Sequence, residues 1–284
     1  MSRNSKRVSS AAETPEINPP SAPDPRDTAT RTSTTEAVPL PSRGLFYPPG
    51  HPLCGEEYIE IRYMTARDED VLTSPSLLKN GTALDKFTQG LICDPRIKID
   101  DLLVGDKSAI MIAARITGYG PDYDVVVTCP ECGEESDHTF DLSDYEKYYT
   151  TVGDTVEGFY LNGNNRYEVV LPVSGYTVEL KMATSRDEQR LNRSQKMKAK
   201  NKLAETNSTD FLKLVIHSID GDIDRNNISQ KVMDLPARDS RFLRKHFPEV
   251  SPNLDLKETF ECQYCGTETE MEVPLEAGFF WPDS

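Results

Sequence analysis

Two Cys-x-x-Cys-Gly strings, Cys129-Pro-Glu-Cys132-Gly133 and Cys262-Gln-Tyr-Cys265-Gly266, stand 133 residues apart in the chain. Each has the shape of a zinc knuckle, in which two thiolates two residues apart converge on one ion at about 2.3 Å. The glycine after each second cysteine permits the positive φ that closes such a turn. Strand-like segments flank both: Asp124–Thr128 and Thr139–Leu142 around the first, Lys257–Phe260 and Met271–Pro274 around the second. That outline is a zinc ribbon. Bringing the knuckles together closes a loop of 129 intervening residues, at an entropic cost of about 4 kcal/mol. A structural zinc site offers an apparent ~10–16 kcal/mol, so the metal outweighs the loop. The competing readings are a redox pair, two disulfides, or two separate metal sites. A redox motif favours a helix N-terminus, whereas Glu134-Glu135-Ser136-Asp137 follows here. Disulfides need an oxidising compartment. The expected metal ligands are therefore Cys129, Cys132, Cys262 and Cys265. Four sulfurs saturate a tetrahedral ion, so this metal holds a fold together and activates nothing. His138 is expected to be a strand residue, not a ligand. Cys54 and Cys93 lack paired spacing and are expected to be buried small apolar residues.

The knuckles are the last of several landmarks that occur twice in the same order. Leu40-Pro-Ser-Arg-Gly44 is echoed by Leu171-Pro-Val-Ser-Gly175, and Glu60–Glu69 aligns with Glu179–Glu188. In the latter pair Thr65 and Thr184 each precede an aspartate by three residues, as in a capping box. Asp106–Arg115 and Asp239–His246 read as helices with N-cap aspartates and apolar residues at helical spacing, such as Ile112 with Ile116. These matches predict an internal duplication. The second copy has 14 additional residues, which the polar stretch Asn192–Glu205 would supply as an extended helix. The expected fold is α+β: two pseudo-repeated halves, each helical with a β-hairpin knuckle, joined through a four-cysteine zinc ribbon. The expected boundaries are residues 1–36, 37–150 and 151–284.

Residues 1–36 contain no Leu, Phe, Tyr or Trp, and 17 of the 36 are Ser, Thr or Pro. Such a segment cannot bury enough apolar area to offset its ordering entropy, and it reads as a disordered arm. Its five basic and five acidic residues cancel, so the chain's net charge of −15 falls entirely on residues 37–284. That surplus repels phosphate backbones and argues against a nucleic-acid partner. No apolar run reaches the ~18 residues of a spanning helix, and the N-terminus lacks the apolar stretch of a secretory signal.

Catalytic constellations fail on inspection. Asp220-Gly-Asp222-Ile-Asp224 resembles the start of a calcium loop, but Arg225 and Lys231 occupy the positions that need Gly and Glu. The Asp68-Glu69-Asp70 and Asp187-Glu188 clusters sit where negative charge complements a helix N-terminus. No phosphate loop, nucleophile elbow or His-Glu-x-x-His is present. The terminal aromatic run Phe279-Phe-Trp-Pro282 is expected to close the core beside the second knuckle.

The ordered set Leu40-Pro-Ser-Arg-Gly-Leu-Phe-Tyr-Pro48, Asp106–Arg115 with Tyr119-Gly120, Cys129-Pro-Glu-Cys-Gly133, Leu235-Pro-Ala-Arg-Asp239, Cys262-Gln-Tyr-Cys-Gly266 and Phe279-Phe-Trp-Pro282 resembles the T4-type bacteriophage baseplate hub protein family. The long polar arm and a second knuckle without proline depart from the pattern. The resemblance implies a non-enzymatic protein of a contractile phage tail that contacts other baseplate hub and wedge proteins. It also implies host cytoplasm during assembly and the virion baseplate afterwards. Nucleic acid, membrane and small-molecule substrate are not expected partners. The rival within that biology is a hub assembly factor that leaves before the virion matures. A rival of another class is a zinc-binding regulator of host proteins.

Overall fold

The alternation of short strands with amphipathic helices read from the sequence is realised in a computed structural model. It describes residues 34–150, 152, 158–201, 207–273 and 277–280. The chain opens with an antiparallel pair, β1 (Thr35–Pro39) and β2 (Tyr58–Arg62), in which Val38 faces Ile59. Three helices follow: α1 (Ala66–Leu72), α2 (Pro75–Asn80) and α3 (Ala83–Leu91). Ile92, directly after α3, bridges to Ile61 of β2. The long helix α4 (Val104–Tyr119) then leads into the hairpin β3 (Asp122–Thr128) and β4 (Glu135–Asp141), and a 3-10 turn spans Tyr145–Tyr148.

The rest of the described chain is built around a second sheet. A sheet in the order β5-β6-β7-β8 contains β5 (Phe159–Leu161), β6 (Tyr167–Val170), β7 (Thr177–Leu180) and β8 (Ile216–Ile219). Between β7 and β8 lie α5 (Ser185–Lys200) and α6 (Asn207–Val215). Helices α7 (Arg225–Met233) and α8 (Ala237–Val250), the hairpin β9 (Lys257–Glu261) with β10 (Glu268–Glu272), and a 3-10 turn at Ala277–Phe280 complete the described chain. In β6–β7 Val169 faces Val178, the positions that match Val38 and Ile59. In the hairpins Thr128 faces Glu135 and Glu261 faces Glu268, again at matching positions.

Alternation explains the strands. Ile59 and Ile61 point inward while Tyr58 and Glu60 are exposed, and Val169, Val178 and Leu180 repeat that pattern. Helix α4 is buried along most of its length, including Ile110, Ile112 and Ala114, and forms the spine of the core. Gly105 near its start is required by contact: a Cβ there would lie 2.2 Å from the carbonyl oxygen of Pro252. This approach brings the α4 N-terminus against the segment that leads to β9. The described residues from 34 onward form one compact unit.

The helix starts carry four matching buried aspartates. Asp68 accepts from the Thr65 N–H at 2.8 Å and from Arg62 at 2.7 Å; Asp187 accepts from Lys181 at 2.7 Å and from the Thr184 N–H. Asp106 and Asp239 do not cap their helices as the sequence suggested. The cap positions belong to Leu103 and Pro236, and each aspartate is the third residue of its helix. Their carboxylates turn instead to a distant loop: Asp106 accepts from the Ser42 N–H, the Ser42 hydroxyl and the Tyr47 hydroxyl. Asp239 accepts from the N–H groups of Val173 and Ser174.

Other expectations are also corrected. Cys54 and Cys93 are exposed, because Cys54 lies in a surface turn and Cys93 is the outward neighbour of inward-facing Ile92. Of the stretch 192–205 expected as an extended helix, α5 covers the residues up to Lys200, and 202–205 lie outside the described residues. The starts of α1 and α5 are 119 residues apart, those of α3 and α6 124, and those of α4 and α8 133. Under the expected duplication, part of the excess would therefore fall around α7. Thr35 and Glu36, expected in the arm, belong to β1, where pairing with β2 supplies ladder hydrogen bonds. Residues 1–33 lie outside the described residues.

Candidate metal centre

Each knuckle is a tight turn at the tip of a hairpin. The Cys129 N–H donates to Glu134 O at 2.9 Å and the Gly133 N–H to Cys129 O at 2.9 Å. In the second knuckle the Cys262 N–H donates to Thr267 O at 3.0 Å and the Gly266 N–H to Cys262 O at 2.8 Å. Gly133 and Gly266 have φ of 75° and 70°, a conformation costly for other residues. These closures turn all four side chains toward one point.

The four Sγ atoms lie within 4.8 Å of one another. Two approaches cross between hairpins: Cys129 to Cys265 at 3.7 Å and Cys132 to Cys262 at 3.7 Å. A tetrahedron with sulfur about 2.3 Å from its centre has edges of about 3.8 Å, so the donor set fits a zinc-sized ion. The first cysteine of each pair, Cys129 and Cys262, is buried, and the second is exposed. None of the four is in a disulfide.

Electrostatics within the cluster are uneven. The Thr267 hydroxyl and backbone N–H hold the Cys265 thiol down to about 6. The Glu134 N–H works to lower the Cys132 thiol, but desolvation and the neighbouring sulfurs push it up to about 12. Crowded thiols without a cation share protons unequally, and a divalent ion removes that conflict by favouring thiolate at every position.

The surroundings clamp the hairpins together. His138 on β4 stands opposite Val125 and packs edge-on against Phe140 and, across the gap, Phe260 at 5.4 Å between ring centres. It is a packing residue outside the sulfur cluster, as its strand position suggested. Arg115 of α4 is buried and donates to the carbonyls of Gly120 and Asp122, which fixes the entry into β3. The segment after the first hairpin then reaches the strand leading into the second: the Thr150 N–H donates to Asn253 O and the Asp255 N–H to Tyr148 O. In return, Phe279 and Phe280, beyond the second hairpin, are fully buried against Tyr123 and Phe87. The terminal aromatics thus close the core; Trp281 and Pro282 lie outside the described residues.

The carboxylates considered for calcium have other work. Asp224 accepts from the Asn226 and Asn227 N–H groups at the start of α7, Asp222 from the Asp224 N–H, and Asp220 from the Thr177 N–H. The buried Asp106 was visible in the sequence, but its partners were not. Burial raises its carboxyl above the usual range, against the hydrogen bonds from Ser42 and Tyr47 that favour its ionised form. Both oxygens are engaged within the protein, which makes it a brace between α4 and the 42–47 loop. Among the described residues no helix is long and apolar enough to cross a membrane.

Fold and site together define an α+β protein organised around a four-cysteine cluster able to hold a metal ion. A family model described as T4 bacteriophage base plate protein matches residues 50–281. The chain belongs to this family, whose members are structural baseplate proteins and not enzymes. No curated protein and no solved structure matches the chain significantly.

Proposed function

We propose that this protein is a building part of the phage baseplate hub. In this reading a single structural zinc, held by Cys129, Cys132, Cys262 and Cys265, pins two copies of one ancestral unit. The observation that carries it is the crossed approach of the two cysteine pairs, which requires both hairpins to supply one site. Zinc supplies no open coordination position in such a set; its contribution is folding free energy.

The chain's own residues do the rest. Matching strand registers, matching aspartates and matching knuckles support two units, residues 37–150 and 151–284, that meet at the ribbon. The exchanged tails at 148–150 and 277–280 lock them, so that zinc finishes an interface already made of backbone hydrogen bonds and aromatic packing. A rigid molecule of this kind presents fixed outer faces to other hub and wedge proteins, first in the infected cell and then in the particle.

The test is to replace Cys132 by Ser in the phage genome. The expected result is loss of bound zinc and failure of hub assembly, with few or no infectious particles. Normal particle yield would overturn the reading. Quantitative mass spectrometry of purified wild-type virions should find the protein at fixed stoichiometry. Its absence would mean that it acts as an assembly factor and departs.

A further inference from the structure

Helix α5 is a positive surface on an acidic molecule. It carries Arg186, Arg190, Arg193, Lys196, Lys198 and Lys200 against Asp187 and Glu188, a net of +4 in a chain of −15. It is also an addition, since its counterpart α1 has seven residues where α5 has 16. Arg186 is paired with Asp101, and Lys198 with Asp210. Arg190, Arg193, Lys196 and Lys200 are exposed and have no carboxylate partner among the described residues. In their midst Met197 is 65% exposed. From Arg190 to Lys200 the stripe is about 15 Å long at 1.5 Å per residue. An apolar point ringed by unpaired cations is a surface that fits an acidic partner with an apolar centre.

The chain carries that complement itself. The outward face of the first hairpin presents Asp122, Asp124, Glu135, Asp137 and Asp141, all exposed, with no ion-pair partner among the described residues. Asp122 stands directly opposite Asp141 across the ladder, a like-charge arrangement that destabilises a hairpin in isolation. Val126, 64% exposed, stands directly opposite Asp137 and two residues along β3 from Asp124. This face is two strands wide and about 20 Å long from Asp122 to Thr128 at ~3.4 Å per residue, enough to receive the α5 stripe.

We infer that α5 of one copy docks on the outer face of the β3–β4 hairpin of a second copy, with Met197 seated at Val126 and the four cations among the aspartates. Different surfaces of the two copies meet, so the contact is head-to-tail, and repetition gives a ring where the rotation closes. The contact needs no other phage protein.

Sedimentation velocity of the full-length protein at low and high salt tests it. Wild-type protein should self-associate at low salt and fall back toward monomer as added salt screens the contact. Reversing the helix with Arg193→Glu and Lys196→Glu, or the hairpin with Asp124→Lys and Asp137→Lys, should weaken association at least about tenfold, since like charges then face each other. An equimolar mixture of the two reversed proteins should associate again, because each then offers the complement of the other. Circular dichroism melts confirm that each variant folds. A wild type that stays monomeric at low salt overturns the proposal, even if α5 then captures DNA or an acidic phage protein instead. Association indifferent to both reversals, or not restored by mixing, overturns it too.

Discussion

Cys129 and Cys262 are buried while Cys132 and Cys265 face solvent, yet under the proposed shared ion the four are equivalent in consequence: losing any one sulfur opens the site. Cys132→Ser should therefore abolish stoichiometric zinc and lower the melting temperature. Cys54→Ser, at an exposed thiol outside the cluster, should do neither. Paired metal assays and thermal melts decide, and equal behaviour of the two variants would remove the cluster from its role. Gly105 makes a second demand at this scale. A methyl group there meets the Pro252 carbonyl oxygen at 2.2 Å, and backbone on both sides cannot step aside as a side-chain end could. Gly105→Ala should cost about 1–3 kcal/mol of unfolding free energy, the range for overpacking a filled site. A denaturant midpoint unchanged from wild type would contradict that contact. The sulfur site was legible in the sequence because two residues between cysteines and a glycine after them specify a turn locally. The exposure of Cys93 was not, since it depends on Ile92 bridging to Ile61 from another element.

Among elements, the matching helix starts show which parts of the sequence speak plainly. Thr65 with Asp68 and Thr184 with Asp187 cap their helices as the spacing announced, because both partners lie within one turn. Asp106 and Asp239, read as N-caps themselves, serve loops 64 and 66 residues away, at Ser42 and Val173. A pattern read within a single turn cannot reveal partners at that separation. Likewise β5 and α7 fall outside the motifs that recur in the sequence, so those motifs gave no hint of them.

The capping aspartates have a pH consequence. Against the desolvation of burial, Arg62 and Thr65 hold the Asp68 carboxyl below its usual value of 3.8, and Lys181 and Thr184 do so for Asp187. A lowered folded-state value means that the unfolded chain takes up protons first. The stabilisation is complete above the unfolded value and disappears as pH falls through the lower folded one. In melts across this range, the gap between wild type and an Asp68→Asn, Asp187→Asn variant should be full above about pH 4 and close in stronger acid. A gap of constant size would show that the ion pairs contribute nothing. Metal release affects both proteins alike and cancels in the difference.

Over the whole molecule, the four-cysteine cluster, the exchanged tails and buried helix α4 act on one junction. The tails alone bring Thr150 to Asn253 and Phe280 to Phe87, so metal removal should loosen the hairpins before it unfolds the helices. The central claim is that one ion is shared by both hairpins of one chain, and native mass spectrometry of the purified full-length protein measures it directly. We expect a single zinc per chain, absent from Cys132→Ser and from Cys265→Ser alike. Two zincs per chain, none, or a metal retained when one knuckle is disabled would contradict a shared site and with it the clasped pair of halves.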